Sequence, residues 1–190
     1  MIEQRERFIK EIREIPPHKL VFIDETGSHI AMTPEFARAP LGKRAIGYVP
    51  RNRGTVTTVI GALARRGLTA LMDVEGGTST DVFLDFVCGH LLPTLRKGDV
   101  VVMDNLAAHR AVAVRSTIES RGARVLFTPT YSPDLNPIEL CWSKFKNLLK
   151  GIGARTKDTL RTALGVASSL ITRADIAGWF KHCLFKVQPS

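Results

Sequence analysis

The 190-residue chain is long enough for one domain with a sizeable core, and 44% hydrophobic with 24% charged residues is ordinary for a globular protein. Its 27 basic residues against 18 acidic ones give a net charge of +9, a balance that favours a polyanionic partner because neutralised phosphates release counterions. No apolar run approaches the roughly 18 residues of a membrane span, the charged N-terminus reads as no signal peptide, and Cys88, Cys141 and Cys183 form no CxxC pair, which argues against a membrane or disulfide-framed class and for a reducing cytosol.

Residues 1–19 space Ile2, Phe8, Ile12 and Ile15 roughly as a helix does, with charges of both signs between them, until Pro16 and Pro17 stop it. This stretch reads as a lead-in or linker helix with a solvated face. Leu20 to Thr26 is a short apolar run ending in Asp-Glu-Thr-Gly, a buried strand that delivers acids to its C-terminal edge. Pro34, Pro40, Gly42, Gly47 and Pro50 punctuate the next stretch, which reads as a basic loop or a loose hairpin. Thr55–Ala64 and Leu68–Val74 read as an antiparallel pair of strands turned at Arg65-Arg66-Gly67.

The cluster Thr78–Asp81 caps a helix running through VFLDFVCGHLLPTLR, with Val82, Phe83, Phe86, Val87 and Leu91 as its apolar stripe. Asp99–Met103 has the continuous apolar character of a strand covered on both faces. A helix over Ala111–Arg121 ends at Gly122, and Arg124–Thr128 reads as a fifth strand. Asn136 then caps a helix with Pro137 at its first position and Glu139 at its third, the reciprocal capping pattern. Ile138, Trp142, Phe145 and Leu149 share one side of that helix, and Glu139, Ser143, Lys146 and Lys150 lie on its shoulder. Helices over Lys157–Leu170 and Thr172–Leu184 complete the chain. The expected fold is α/β: a mixed five-stranded sheet with helices on both faces. Ligands in such sheets gather outside the carboxyl ends of the strands, where Asp24 and Asp104 become neighbours if the first and fourth strands pair.

Asp24 and Asp104 at strand ends, with Glu139 on a helix, are the acids that metal-assisted phosphodiester chemistry requires. Two magnesium ions about 3.5–4 Å apart can bind the attacking and leaving oxygens of an in-line displacement. Each needs only one or two protein carboxylates, the rest of its shell being water and phosphate. Asp24 is then the bridge between the ions, with Asp104 on one and Glu139 on the other. Glu139 has a rival role, because Glu at a third helical position often serves capping alone. Glu25 points to the opposite face of its strand, for a supporting or solvent-facing role. His109 either reaches the site from the following loop or is an ordinary turn histidine. His29, His90 and His182 read as structural, Trp142 as core, and Asp73, Asp81, Asp85 and Asp99 as turn and cap residues.

The positive charge is clustered. Phe36 to Met72 holds Arg38, Lys43, Arg44, Arg51, Arg53, Arg65 and Arg66 without an acid, and Leu140 to Lys157 holds Lys144, Lys146, Lys150, Arg155 and Lys157 without one. Such clusters make patches rather than a merely soluble surface. Lys43, Arg44, Arg51 and Arg53, with Lys144, Lys146 and Lys150, are the expected phosphate contacts.

FIDETG, VVMDNLAAH and TPTYSPDLNPIELCWSKFK resemble the three signature blocks of transposases in the insertion sequence 630 group of the Tc–mariner superfamily, across roughly Lys19 to Lys150. The 34 residues between Asp104 and Glu139 are similar to that group's interval. The resemblance implies an RNase H-like fold and a DDE triad on Asp24, Asp104 and Glu139. It implies two Mg2+ ions with Mn2+ as substitute, cleavage at element ends, and strand transfer of the 3′-hydroxyl into target DNA. Asn105 and His109 match the DN…H block as supporting residues, and Asn136 with Pro137 matches the turn before the catalytic helix. Family members recognise their ends with helix-turn-helix modules, and only nineteen residues precede the first strand here. The chain thus resembles the downstream half of a split transposase, with an upstream helix-turn-helix polypeptide as partner.

The resulting division is a lead-in helix at 1–19, an RNase H-like DDE core at 20–150, and C-terminal helices packed on the core at 151–190. The expected setting is the bacterial cytosol and nucleoid, with DNA ends and target as partners, no membrane, and a dimer or larger assembly to pair two ends. Two alternatives stay open: an RNase H-like nuclease without joining activity, and a non-catalytic DNA-binding remnant or regulator.

Overall fold

The computed structural model describes residues 2–186. A helix α1 (Ile2–Glu14) precedes strand β1 (Leu20–Ser28), the hairpin β2 (Thr57–Ala64) and β3 (Gly67–Glu75), helix α2 (Thr80–Phe86), strand β4 (Val100–Met103), helix α3 (Val112–Ser120) and strand β5 (Arg124–Phe127). Helices α4 (Pro137–Ile152), α5 (Lys157–Ser169) and α6 (Arg173–Lys181) follow. The strands form one sheet in the order β3-β2-β1-β4-β5. β1 and β2 pair antiparallel, as do β2 and β3, whereas β1–β4 and β4–β5 are parallel. The mixed five-stranded sheet of the sequence reading is therefore present.

Strand alternation builds a core on each face. Leu20 and Phe22 of β1, with Val100 and Val102 of β4, pack under α1, α4, α5 and α6, against Phe8, Ile12, Phe145 and Phe180. Val21 and Ile23, with Val101 and Met103, face α2 and α3 through Phe83, Phe86, Val114 and Ile118. Burial on both faces explains why β4 reads as VVVM, with no polar position in the strand. Helix α1 buries Phe8, Ile9 and Ile12 in the first of these cores. Its Arg5 pairs with Asp134 in the turn Pro133–Leu135, and its Glu11 accepts from Arg124 at 2.9 Å.

The helix expected through Arg96 is α-helical only to Phe86, then passes through a π turn at Val87–Leu91 and a 3-10 turn at Leu92–Thr94. Pro93 has no N–H to donate and crowds the preceding turn, so the helix changes pitch before it. Of the two options for residues 29–56, the loop is realised, since they contain no strand. Phe36, Leu41, Ile46 and Tyr48 of this segment are exposed.

Helix α4 is seated by one close approach. A Cβ on Gly61 would lie 2.6 Å from Trp142 Cη2 and 3.0 Å from Cζ2, so the indole occupies the space a side chain would take. Gly61 is the β2 partner of Asp24, and Trp142 lies one helical turn after Glu139. The other end of α4 closes at Gly153, whose φ of +68 suits the left-handed cap and whose N–H donates to the Leu149 carbonyl at 3.0 Å. Gly61→Ala should push the indole out of its seat and destabilise the fold by about 1–3 kcal/mol, as overpacking of a filled core does. Urea denaturation checks this; an unchanged midpoint would mean that α4 is not held there.

Candidate active site

The parallel register pairs Leu20 with Val100, Val21 with Val101 and Phe22 with Val102. Continued by two residues, it sets Asp24 beside Asp104 at the carboxyl edge of the two central strands. Asp24 shares the parity of Leu20 and Phe22, and Asp104 that of Val100 and Val102, so both leave the sheet on the side covered by α4. Glu139 reaches the same place from the first turn of α4. Asp24, Asp104 and Glu139 line one cleft of about 450 Å³, together with Asn105, Thr130, Tyr131, Ser132 and Asn136. The three acids that the sequence separates are thus brought together. Tyr131 forms part of the rim, 88% exposed and held at φ +58, a backbone conformation uncommon for a bulky residue.

The environments of the acids differ. Burial raises the Asp24 carboxyl to about 7; a backbone hydrogen bond opposes this, while the nearby carboxylates of Glu139, Asp104 and Glu25 add to it. Burial also acts to raise Asp104, but the hydrogen bond and charge of His109 and the Leu106 N–H outweigh it and hold that carboxyl below its usual value. Leu106 N–H donates to Asp104 Oδ1 at 3.2 Å, and His109 Nδ1 lies 2.5 Å from the same oxygen. His109 is 1% exposed, and its Nε2 lies 3.4 Å from Glu25 Oε1. Burial lowers the imidazole, but the two carboxylates override that and raise it to about 9. His109 thus lies against Asp104, from the loop that follows β4. Glu25 leaves on the other side of β1, as strand alternation requires, and meets His109 and Thr78 there.

Asn136 sits where a cap was expected but does not cap. Its side chain makes no hydrogen bond to the first turn of α4, and its Oδ1 is buried without a partner among the described residues. The Glu139 N–H donates to the Asn136 backbone carbonyl at 3.1 Å instead. The preceding 3-10 turn Pro133–Leu135, whose Pro133 carbonyl accepts the Asn136 N–H, already sets the entry into the helix. The reciprocal capping that competed for Glu139 is therefore not formed.

The expected phosphate contacts divide into two groups. Lys43, Arg44, Arg51 and Arg53 lie on the exposed loop between β1 and β2, which departs from the carboxyl edge of β1. On α4, Lys144 lies 2.5 Å from Asp175 and Lys150 pairs with Glu35, while Lys146 is half-buried. Arg66 is drawn out of the basic cluster by Asp99, whose Oδ2 accepts from it at 2.9 Å and from the Arg96 N–H at 3.0 Å.

The donors suit a hard cation. Among the described residues no His, Cys, Asp and Glu group of three or more is closed enough to encage a metal unaided. Magnesium needs no such cage, because water and substrate phosphate complete its shell. Burial is the main cause of the raised Asp24 carboxyl, and the repulsion of Glu139, Asp104 and Glu25 that adds to it is what a bound divalent cation would relieve.

The raised carboxyl has a consequence for stability. Because the folded carboxyl of Asp24 is raised to about 7, the native state holds a proton that the unfolded chain releases near pH 4, and this contribution to stability falls as pH rises between the two. Asp24→Asn should remove the loss, so in EDTA the variant gains stability over the parent at pH 8 and not at pH 4. Paired urea titrations check this, and equal differences at both values would contradict it.

Comparison with known proteins agrees with the fold. The family described as DDE superfamily endonuclease matches residues 19–161. The transposable element Tc1 transposase of Caenorhabditis elegans is 39% identical over 67 residues, covering 35% of this chain and 24% of that protein. The transposable element Tcb1 transposase of Caenorhabditis briggsae is 28% identical over 131 residues, covering 63% of this chain and 47% of that protein. The matches thus span about a quarter and about half of these relatives' own lengths. In fold, it is similar to the Mos1 mariner paired-end complex with Mn, at a TM-score of 0.79 and 18% identity over 96% of this chain and 59% of that one. It is also similar to the catalytic domain of Mos1 mariner transposase, at 0.67 and 16% over 97% and 92% of the two chains.

Proposed function

The chain belongs to the DDE superfamily endonuclease family, and on that premise we propose that it is the catalytic domain of a DNA transposase of the insertion sequence 630 group. It cleaves DNA at element ends and joins the freed 3′-hydroxyl to target DNA. The observation that carries this reading is the convergence of Asp24, Asp104 and Glu139 on one cleft beside an exposed basic loop. In the proposed division, 1–19 is the lead-in, 20–150 the catalytic core and 151–190 the helices packed on it.

Asp24, Asp104 and Glu139 are the proposed ligands of two Mg2+ ions, replaceable by Mn2+, which when bound supply Lewis-acid stabilisation of the attacking and leaving oxygens. Asp24, the most buried of the three, would help hold both ions, with Asp104 and Glu139 each serving one. Asp104 offers Oδ2, since Oδ1 already accepts from Leu106 and faces His109. Asn105 and Asn136 line the cleft and contact the scissile strand. Water attacks the phosphodiester at the element end, and the released 3′-hydroxyl attacks a target phosphodiester in the same cleft. Lys43, Arg44, Arg51, Arg53 and Lys146 bind phosphates along the DNA. Lys144 and Lys150 join them only by giving up Asp175 and Glu35. Recognition of the ends falls to a helix-turn-helix module, separate or fused. Pairing of two ends calls for at least a dimer. Among the described residues no helix is long and apolar enough to cross a membrane, and the cytosol and nucleoid are the proposed setting.

A strand-transfer assay with pre-cut ends, Mg2+ and a plasmid target tests the reading. Joined products are expected, and Asp24→Ala, Asp104→Ala and Glu139→Ala should each abolish them while leaving the fold intact. Nicking without joining would instead assign a nuclease, and metal-dependent joining by any of the three variants would overturn the triad. Charge removal at Arg51 or Arg53 should weaken DNA binding evenly across sequences and lower the salt slope by about 1 for each phosphate left unneutralised. Binding titrations from 50 to 200 mM salt read that slope; an unchanged one would take the loop out of the DNA interface.

A further inference from the structure

Glu25 is not a member of the proposed triad, yet it is tied to it through a continuous chain of polar contacts. The Thr78 hydroxyl donates to Glu25 Oε2 at 2.8 Å, Glu25 Oε1 faces His109 Nε2 at 3.4 Å, and His109 Nδ1 meets Asp104 Oδ1 at 2.5 Å. The imidazole is 1% exposed and lies on the Phe83 ring, with 4.1 Å between centroids. Each ring nitrogen is thus directed at a carboxylate while one face is blocked by an aromatic side chain. The far end is anchored as well. Thr78 follows the turn at Gly76, whose N–H donates to the Val56 carbonyl at 2.9 Å and whose carbonyl accepts from the Thr58 hydroxyl.

Enclosing an imidazole between two carboxylates is expensive in desolvation, and packing alone would be served as well by apolar side chains. What an apolar replacement could not do is fix the orientation of Asp104. Buried hydrogen-bond partners behind a metal ligand set its orientation, and their loss typically lowers metal affinity about 10–100-fold. We propose that Thr78, Glu25 and His109 form a positioning relay that holds the Asp104 carboxylate by Oδ1 and leaves Oδ2 as the oxygen presented to the cation. This rests on the functional reading above, and none of the three residues touches the reacting phosphate. The relay runs from the α2 side of the sheet, where Glu25 leaves β1, to Asp104 at the cleft.

The test uses Glu25→Ala and Glu25→Gln, the latter keeping one acceptor oxygen for His109. Two readouts are needed: Mn2+ affinity of the DNA-free protein from the electron paramagnetic resonance of free Mn2+, and the His109 imidazole 15N and N–H resonances of the metal-free protein. Glu25→Ala is expected to weaken Mn2+ binding about 10-fold or more, to shift the His109 resonances, and to lower kcat for cleavage with KM for DNA unchanged. Glu25→Gln should recover most of the Mn2+ affinity. If Glu25→Ala does not fold, Thr78→Val, which removes only the hydroxyl donor at nearly constant shape, carries the same expectations. Wild-type Mn2+ affinity together with unmoved His109 resonances in a folded variant would overturn the relay. If the parent binds no Mn2+, or if Asp104→Ala still cleaves, the functional reading fails instead, and the metal-free resonances continue to decide the relay.

Discussion

Parallel pairing of β1 with β4 is the constraint on which the rest of this structure depends. Two strands separated by more than seventy residues must lie side by side and point the same way before Asp24 and Asp104 can share an edge. The pairing is secured by burial on both faces. Leu20, Phe22, Val100 and Val102 supply one core, while Val21, Ile23, Val101 and Met103 supply the other. A slip of one residue in either strand would exchange its two sets and turn its acid away from the other. Register and site geometry are therefore the same fact.

Helix α4 brings in the third acid, and its position is fixed by shape rather than charge. The Trp142 indole lies over Gly61 on the strand next to β1, opposite Asp24, so the helix docks where the missing side chain leaves room. Glu139 follows from that seat, one turn earlier. Arg5 of α1, paired with Asp134, adds a tie on the turn leading into the helix. Helix α1, the cleft-lining turn and α4 are consequently one packed unit.

The acids so gathered are electrostatically unfavourable to one another, and the protein answers in two ways. His109 sits against Asp104 and holds that carboxyl below its usual value, while Asp24, with no such partner among the described residues, is left with a carboxyl raised chiefly by burial. This asymmetry matches a site in which a cation completes the charge balance. The surrounding positive charge is not evenly available to nucleic acid. Arg66, Lys144 and Lys150 are engaged by Asp99, Asp175 and Glu35, whereas the basic residues of the loop between β1 and β2 stand in solvent.

Much of this was legible in the sequence because it was local. The apolar runs that become β1 and β4, the β2–β3 hairpin, the Ser79 cap of α2 and the wheel of α4 each depend on neighbours a few residues away, and periodicity records such neighbours directly. The pattern of acids at the ends of two apolar runs and at the start of a helix was legible for the same reason. Tertiary structure decided what depended on distant partners. That Asn136 leaves its capping oxygen unused follows from the turn packed before it, and that Lys144 and Lys150 are ion-paired follows from Asp175 and Glu35, far along the chain. The link from Thr78 through Glu25 to His109 joins residues 53 and 84 positions apart, which no spacing rule could connect. Sequence alone determined which acids stand at strand ends and at the start of a helix, because strand and helix patterns are short-range; only the folded chain decided which of them meet, because contact depends on register and packing between segments that the sequence keeps apart.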